Sequence, residues 1–192
     1  MSNQTWLLLT YKAPPEPARR RIAVWRKLKG MGAVYLQNGV CMLPMTDEHV
    51  RRLKVVENEI TSMGGEAVLL ETTGLDRAQE EKILARFQAE RDEAYAEVIS
   101  RCDDFEAELV KESAAGKFTY AEVEENEEDL RKLQAWIGKI IKLDFTGASL
   151  RAEAEARVVR CETLLDEYAQ RVFEKQHGEG QDDAGPSAGA GA

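Results

Sequence analysis

Histidine is scarce in this chain: only His49 and His177 occur among 192 residues. A carboxylate bundle holding paired metals needs Glu-x-x-His on two helices, and neither histidine lies in the acidic helical stretch that would carry such a site. Cysteine is equally thin. Three residues (Cys41, Cys102 and Cys161) with no Cys-x-x-Cys spacing give neither a disulfide framework nor a zinc site, and all three are read as small buried thiols. No metal and no cofactor is therefore expected. There is no long apolar run of membrane-spanning length. The start, Met1-Ser-Asn-Gln-Thr5, leads straight into a short strand without the form of a signal peptide. A cytoplasmic protein with no membrane partner is the expectation. Aromatic residues make up only 7% of the chain. Trp6, Tyr11 and Tyr35 are available, but the alternating Phe pattern of an RNA-binding sheet is missing. Also missing are a P-loop, a nucleophile elbow, a His-Glu-x-x-His helix and a dinucleotide glycine fingerprint, so no enzyme is read from the sequence.

The first third of the chain carries a clear order of elements. Thr5–Tyr11 is a short apolar run stopped by Pro14-Pro15, as a buried strand would be. Pro15–Gly30 reads as a helix, with proline near its start and glycine at its end. Ala33–Gln37 and Val40–Leu43 read as strands joined by Asn38-Gly39, a strong hairpin signal. Thr46-Asp47 opens a second helix that ends at Gly64-Gly65, and Glu66–Glu71 closes the series. That order, βαββαβ, predicts an α+β ferredoxin-like fold: a four-stranded antiparallel sheet with both helices on one face. In the second helix Val50, Leu53, Val56, Ile60 and Met63 are spaced as core, while His49 in its first turn is read as solvent-exposed.

From Leu75 the character changes to long helices with apolar stripes, predicting a three-helix C-terminal bundle. Thr119-Tyr-Ala-Glu122 has the form of a capping box at the second of them. The acidic run Glu122–Asp129 reads as a solvated face near a helix N-terminus, where carboxylates favour the helix dipole. The expected division is residues 1–73 for the sheet domain, 74–176 for the acidic bundle and 177–192 for a disordered Gly/Ala-rich tail.

Charge is unevenly placed. The chain carries a net −9, which argues against a general nucleic-acid coat protein but leaves room for a local basic patch. Between Lys12 and Lys29 there are seven basic residues (Lys12, Arg19, Arg20, Arg21, Arg26, Lys27 and Lys29) against one acid, Glu16. On a helical wheel Ala18, Ile22, Val24, Trp25 and Leu28 share the arc expected to cover the sheet, and Arg19, Arg20, Arg26 and Lys27 share the opposite one. Those four cations are the candidate contacts for DNA phosphates or an oxyanion, since guanidinium forks match tetrahedral anions. A solvated helix face is the plainer reading of the same pattern.

Several separated motifs agree, in order, with one known family. They are Trp6-Leu-Leu-Leu-Thr-Tyr-Lys12, Pro14-Pro-Glu-Pro-Ala-Arg-Arg-Arg21, Val24-Trp-Arg-Lys-Leu28 and Gly32-Ala-Val-Tyr-Leu-Gln-Asn-Gly-Val40, followed by Met63-Gly-Gly-Glu66, Gly116-Lys-Phe-Thr-Tyr120 and Glu124-Glu-Asn-Glu-Glu-Asp-Leu130. The chain resembles the N-terminal domain of ChrB, the chromate-resistance regulatory proteins of bacteria, from about Trp6 to Glu174. The resemblance implies a role in chromate resistance, with family members acting as regulators of chromate-efflux operons. Longer members carry a second, C-terminal domain, so a stand-alone form is the expectation here, and chromate sensing by that domain is not carried over. The sheet is also similar to that of a nucleic-acid-associated nuclease family and of PaaX-type repressors. Those nucleases place a metal-binding Asp at the end of the first strand, where this chain has Lys12, so a nuclease is not expected. The leading expectation is a non-enzymatic transcriptional regulator, or an accessory of one. The rival is a protein-interaction or dimerisation module of an oxyanion stress response. DNA, chromate or another oxyanion, and a second copy of the chain are the partners left open.

Overall fold

The structure, a computed structural model, describes residues 4–178. The elements run β1 (Thr5–Lys12), α1 (Ala18–Gly30), β2 (Val34–Gln37), β3 (Val40–Pro44), α2 (Asp47–Ser62), β4 (Glu66–Thr73), α3 (Arg77–Ala114), α4 (Tyr120–Lys142) and α5 (Arg151–Gly178). The predicted tail from 177 therefore gives its first two residues to α5, and 179–192 lie outside the described residues. The described residues form two compact units, 4–93 with 142–149, and 94–141 with 150–178. The long helix α3 contributes to both.

The first unit is the ferredoxin-like sheet, in the order β2-β3-β1-β4 with every neighbouring pair antiparallel. The punctuation follows the sequence, except that α1 begins at Ala18 rather than at the expected Pro15. Proline at 14, 15 and 17 holds back the start of α1, and Thr46 Oγ1 accepts the His49 amide at 3.0 Å to open α2. At the hairpin, Gly39 has φ +72, and a Cβ there would stand 2.4 Å from the Tyr11 carbonyl oxygen, so only glycine fits. Alternation along the strands sends Leu7, Leu9, Cys41 and Leu43 to one face, where they meet Val24, Leu28 and Met31 of α1 and Leu53, Val56 and Ile60 of α2. Trp6, Val34 and Met42 point to the other face, where Phe87 of α3 covers them, with Ile83 and Leu84 beside it. The Trp6 and Phe87 rings stack at 5.0 Å, and the Trp6 indole N–H donates to Glu80 at 3.0 Å.

Two expectations for this unit are corrected. His49 is not solvent-exposed: its ring is 7% exposed, its Nδ1 lies 2.8 Å from the Pro44 carbonyl oxygen, and the edge of Phe145 meets it at 5.2 Å. The cause is the segment 142–149, which belongs to this unit and sets Phe145 against His49 and Gly32. Trp25 and Ile22 do not cover the sheet either; they are 49% and 46% exposed. The inward stripe of α1 is only Val24 and Leu28 with Met31 following. At 100° per residue Trp25 lies about 80° from the centre of the Val24–Leu28 stripe and Ile22 about 140° from it.

The second unit is a three-helix bundle, from α3, α4 and α5. Tyr95, Val98, Cys102, Phe105 and Leu109, then Leu130, Leu133, Ile137 and Ile140, then Ala154, Val158, Cys161, Leu165, Tyr168 and Val172 are its buried stripes. Arg157 joins α5 to α3 through Asp103 and, at 2.8 Å, Glu106. Thr119 caps α4, accepting the Glu122 amide at 3.3 Å, while the Glu122 carboxylate pairs with Lys117 at 3.2 Å. Within the acidic run only Asn126 is buried; its amide donates at 2.8 Å to Glu112, itself buried at the end of α3.

Candidate nucleic-acid interface

The basic helix α1 holds its position through Val24 and Leu28, and everything it presents outward is set by that orientation. Arg19, Arg20 and Arg26 are exposed, and their side chains make no hydrogen bond or ion pair within the described residues. Lys27 is exposed too, but its ammonium is held by Glu59 of α2. Of the four candidate cations, three are thus free and one is compensated. Arg20 also borders a shallow cavity of about 530 Å³ with Val55, Asn58 and Glu59 between α1 and α2.

The opposite flank of α1 holds a feature that sequence reasoning missed. Arg21, Ile22 and Trp25 line a groove of about 620 Å³ with Tyr11, Lys12 and Asn38 of the adjoining strand and hairpin. Two free cations there stand beside an indole that is half exposed, so the groove offers a cation and a stacking surface together. The signal was present: three apolar residues (Ile22, Val24 and Trp25) in four consecutive positions of a short helix cannot all point inward. Lys29, by contrast, is drawn into a pair with Glu90 of α3. The Tyr11 hydroxyl hydrogen-bonds that of Tyr35 at 2.8 Å. Burial raises both phenols above their ordinary range, Tyr35 the further, so they stay protonated at any physiological pH.

All three cysteines are buried and reduced. Burial pushes the Cys41 thiol up to about 12 despite the pull of Lys29, and Cys161 likewise to about 12. Burial also raises Cys102. These thiols are protonated packing groups rather than nucleophiles. Among the described residues no three of His, Cys, Asp and Glu converge as metal ligands, and no helix is long and apolar enough to cross a membrane.

Fold and charge together define an α+β protein that joins a ferredoxin-like unit to a helical bundle, with seven basic residues against one acid between Lys12 and Lys29. Comparison with known proteins makes the class specific: the chain belongs to the family described as Protein ChrB, N-terminal, whose model matches residues 21–179. It is 28% identical over 154 residues to Protein ChrB of Cupriavidus metallidurans (strain ATCC 43123 / DSM 2839 / NBRC 102507 / CH34). That similarity covers 79% of this chain but 44% of the relative, so the chain spans less than half the length of the curated protein it matches. Arg21, Trp25, Arg26 and Lys27 fall inside the family match, and Arg19 and Arg20 lie just before it.

Proposed function

We propose that this chain acts in a chromate response as a non-enzymatic regulatory module that contacts DNA through α1. Arg19, Arg20 and Arg26 hold backbone phosphates, and the half-exposed Trp25 offers a stacking surface in the neighbouring groove. The observation that carries this reading is the failure of compensation. In a chain with 35 acidic residues, three arginines on one helix face stay without an acidic partner. Phosphate contacts of this kind fix the position of a protein on DNA and read no bases.

The pairing of Lys27 with Glu59 sharpens the test. Four contacts would give a log–log salt slope of about −3.6 per protomer, but three give about −2.7, at roughly −0.9 per phosphate. Binding of the full chain to DNA from its own upstream region, followed by fluorescence anisotropy across a salt series, measures the slope directly. Arg19→Ala, Arg20→Ala and Arg26→Ala combined should flatten it towards zero while the melt stays unchanged. An unchanged slope overturns the assignment. Repeating the titration with chromate and with sulfate separates a sensor from a plain anion patch. Chromate-specific release makes it a sensor, and equal release by both ions leaves only charge competition.

A further inference from the structure

One edge of the sheet is blunted and the other is open. The β2 edge is four residues long and its register with β3 slips between Tyr35 and Gln37, so it bends away from further pairing. The β4 edge is eight residues long and pairs with β1 in unbroken register from Thr5↔Thr73 to Lys12↔Glu66. No strand lies on its outer side among the described residues. It has no proline, no lysine and no bulge, the devices by which exposed edges are normally protected. Its odd residues Ala67 and Leu69 pack on the α1–α2 side. Its even residues Val68 and Leu70 face the other way and are 53% and 47% exposed.

We infer that β4 is an interface for a second copy of this chain, joining two four-stranded sheets into one of eight. The pairing must be antiparallel about a two-fold axis perpendicular to the sheet, which keeps the same face of both copies on the same side. Even residues then meet even, and odd meet odd. That rule removes the full eight-residue overlap, which would set Glu66 against Thr73 and Val68 against Glu71 of the other copy. It leaves a register centred on Leu69. Leu69 meets its own copy, Val68 meets Leu70 twice over, Ala67 meets Glu71, and Glu66 meets Thr72. No two carboxylates oppose, and all four exposed apolar side chains are brought into cross-strand pairs. Sliding by one step to centre on Leu70 sets Leu69 against Glu71, and sliding two puts Glu71 on Glu71. Sliding the other way, to centre on Val68, sets Leu70 against Glu66, so among these registers only the one centred on Leu69 pairs every exposed apolar side chain with another. Both α1 helices end up on one side of the joined sheet. The inference stands on the strand alone and does not depend on DNA binding.

Sedimentation velocity of the full chain at micromolar concentration should show a dimer. The double variant V68K/L70K sets like charges directly opposite twice and should sediment as a monomer with an unchanged melt, since both positions are exposed. The register has its own test. A mixture of V68C copies and L70C copies should form a disulfide-linked heterodimer on mild oxidation. Neither variant alone should link, because identical positions sit offset by two residues, about 7 Å apart. The buried native cysteines do not compete. A monomeric parent chain, a V68K/L70K dimer, or single variants that link as readily as the mixture would each overturn the proposal.

Discussion

Two tryptophans in the first unit should answer very differently to the same substitution. Trp6 is 1% exposed, stacked on Phe87 and bonded to Glu80. Replacing it with alanine leaves a cavity the size of an indole. Aromatic-to-alanine changes in a core cost about 3–5 kcal/mol, and the ring stack puts Trp6 at the upper end, about 5 kcal/mol. Trp25 contacts protein with half its surface, and Trp25→Ala should cost about 1–2 kcal/mol on area grounds once a compact unfolded chain is allowed for. The gap of about 3 kcal/mol should separate the melting midpoints by roughly 12 °C or more in a unit of this size. Urea denaturation by circular dichroism and fluorescence in a Trp136→Phe background is the assay, because Trp136 is the third indole and belongs to the other unit. The indole left in Trp6→Ala should emit at long wavelength and be quenched by acrylamide. The one left in Trp25→Ala should be blue-shifted and protected. Equal costs for the two substitutions would refute the orientation of α1 and with it the groove beside Trp25.

Other consequences are as direct. Glu59→Gln releases Lys27 and should steepen the DNA salt slope from about −2.7 to about −3.6, at a stability cost below about 1 kcal/mol for so exposed a pair; a slope that does not move would mean Lys27 never reaches phosphate. Glu112 is raised above the usual carboxylate range by burial first and then by its bond to Glu122, against the Asn126 amide. Its folded state therefore binds the proton more tightly than the unfolded chain, so its contribution is present below the ordinary carboxylate range and is lost as pH rises through the raised value. Glu112→Gln, which keeps the bond from Asn126 without the charge, should raise the melting temperature more at pH 8 than at pH 5; an equal gain at both would remove Glu112 as the source. The three buried thiols should be silent to Ellman's reagent in the native protein at pH 8 and all titrate in denaturant. Rapid native reaction at any of them would contradict its burial.

Much of the first unit was legible because its signals are local. Proline at 14, 15 and 17, Asn38-Gly39, Thr46 and Gly64-Gly65 mark the ends of elements through backbone chemistry that needs no distant partner. Helical spacing likewise identified Leu53, Val56 and Ile60, and the stripes of the bundle. What was not legible depends on residues far apart in the chain. The α1 wheel has apolar residues on two flanks, and only the sheet beneath decides which flank is buried. His49 is covered by Phe145, nearly a hundred positions away, and no pattern near His49 announces it. Lys27 looks like its neighbours until Glu59 takes it out of service. Asn126 sits in an acidic run and turns inward to donate to Glu112 of α3. The candidate cations were found from charge clustering, but how many remain free, and the aromatic neighbour they share, were set by tertiary contacts.

The return of residues 142–149 to the sheet unit makes that unit discontinuous along the chain. As the polypeptide leaves the ribosome, all four strands are out by Thr73, and the helix turns that cover Trp6 follow soon after. The last piece, Phe145 against His49 and Gly32, arrives only after the whole of α4 has been made. Vectorial folding normally lets an N-terminal domain finish before the next begins. Here the first unit must wait, its open β4 edge exposed, until most of the second has been translated. A gene truncated anywhere between codons 74 and 144 would encode every strand of the sheet and still lack the aromatic ring that closes over its histidine.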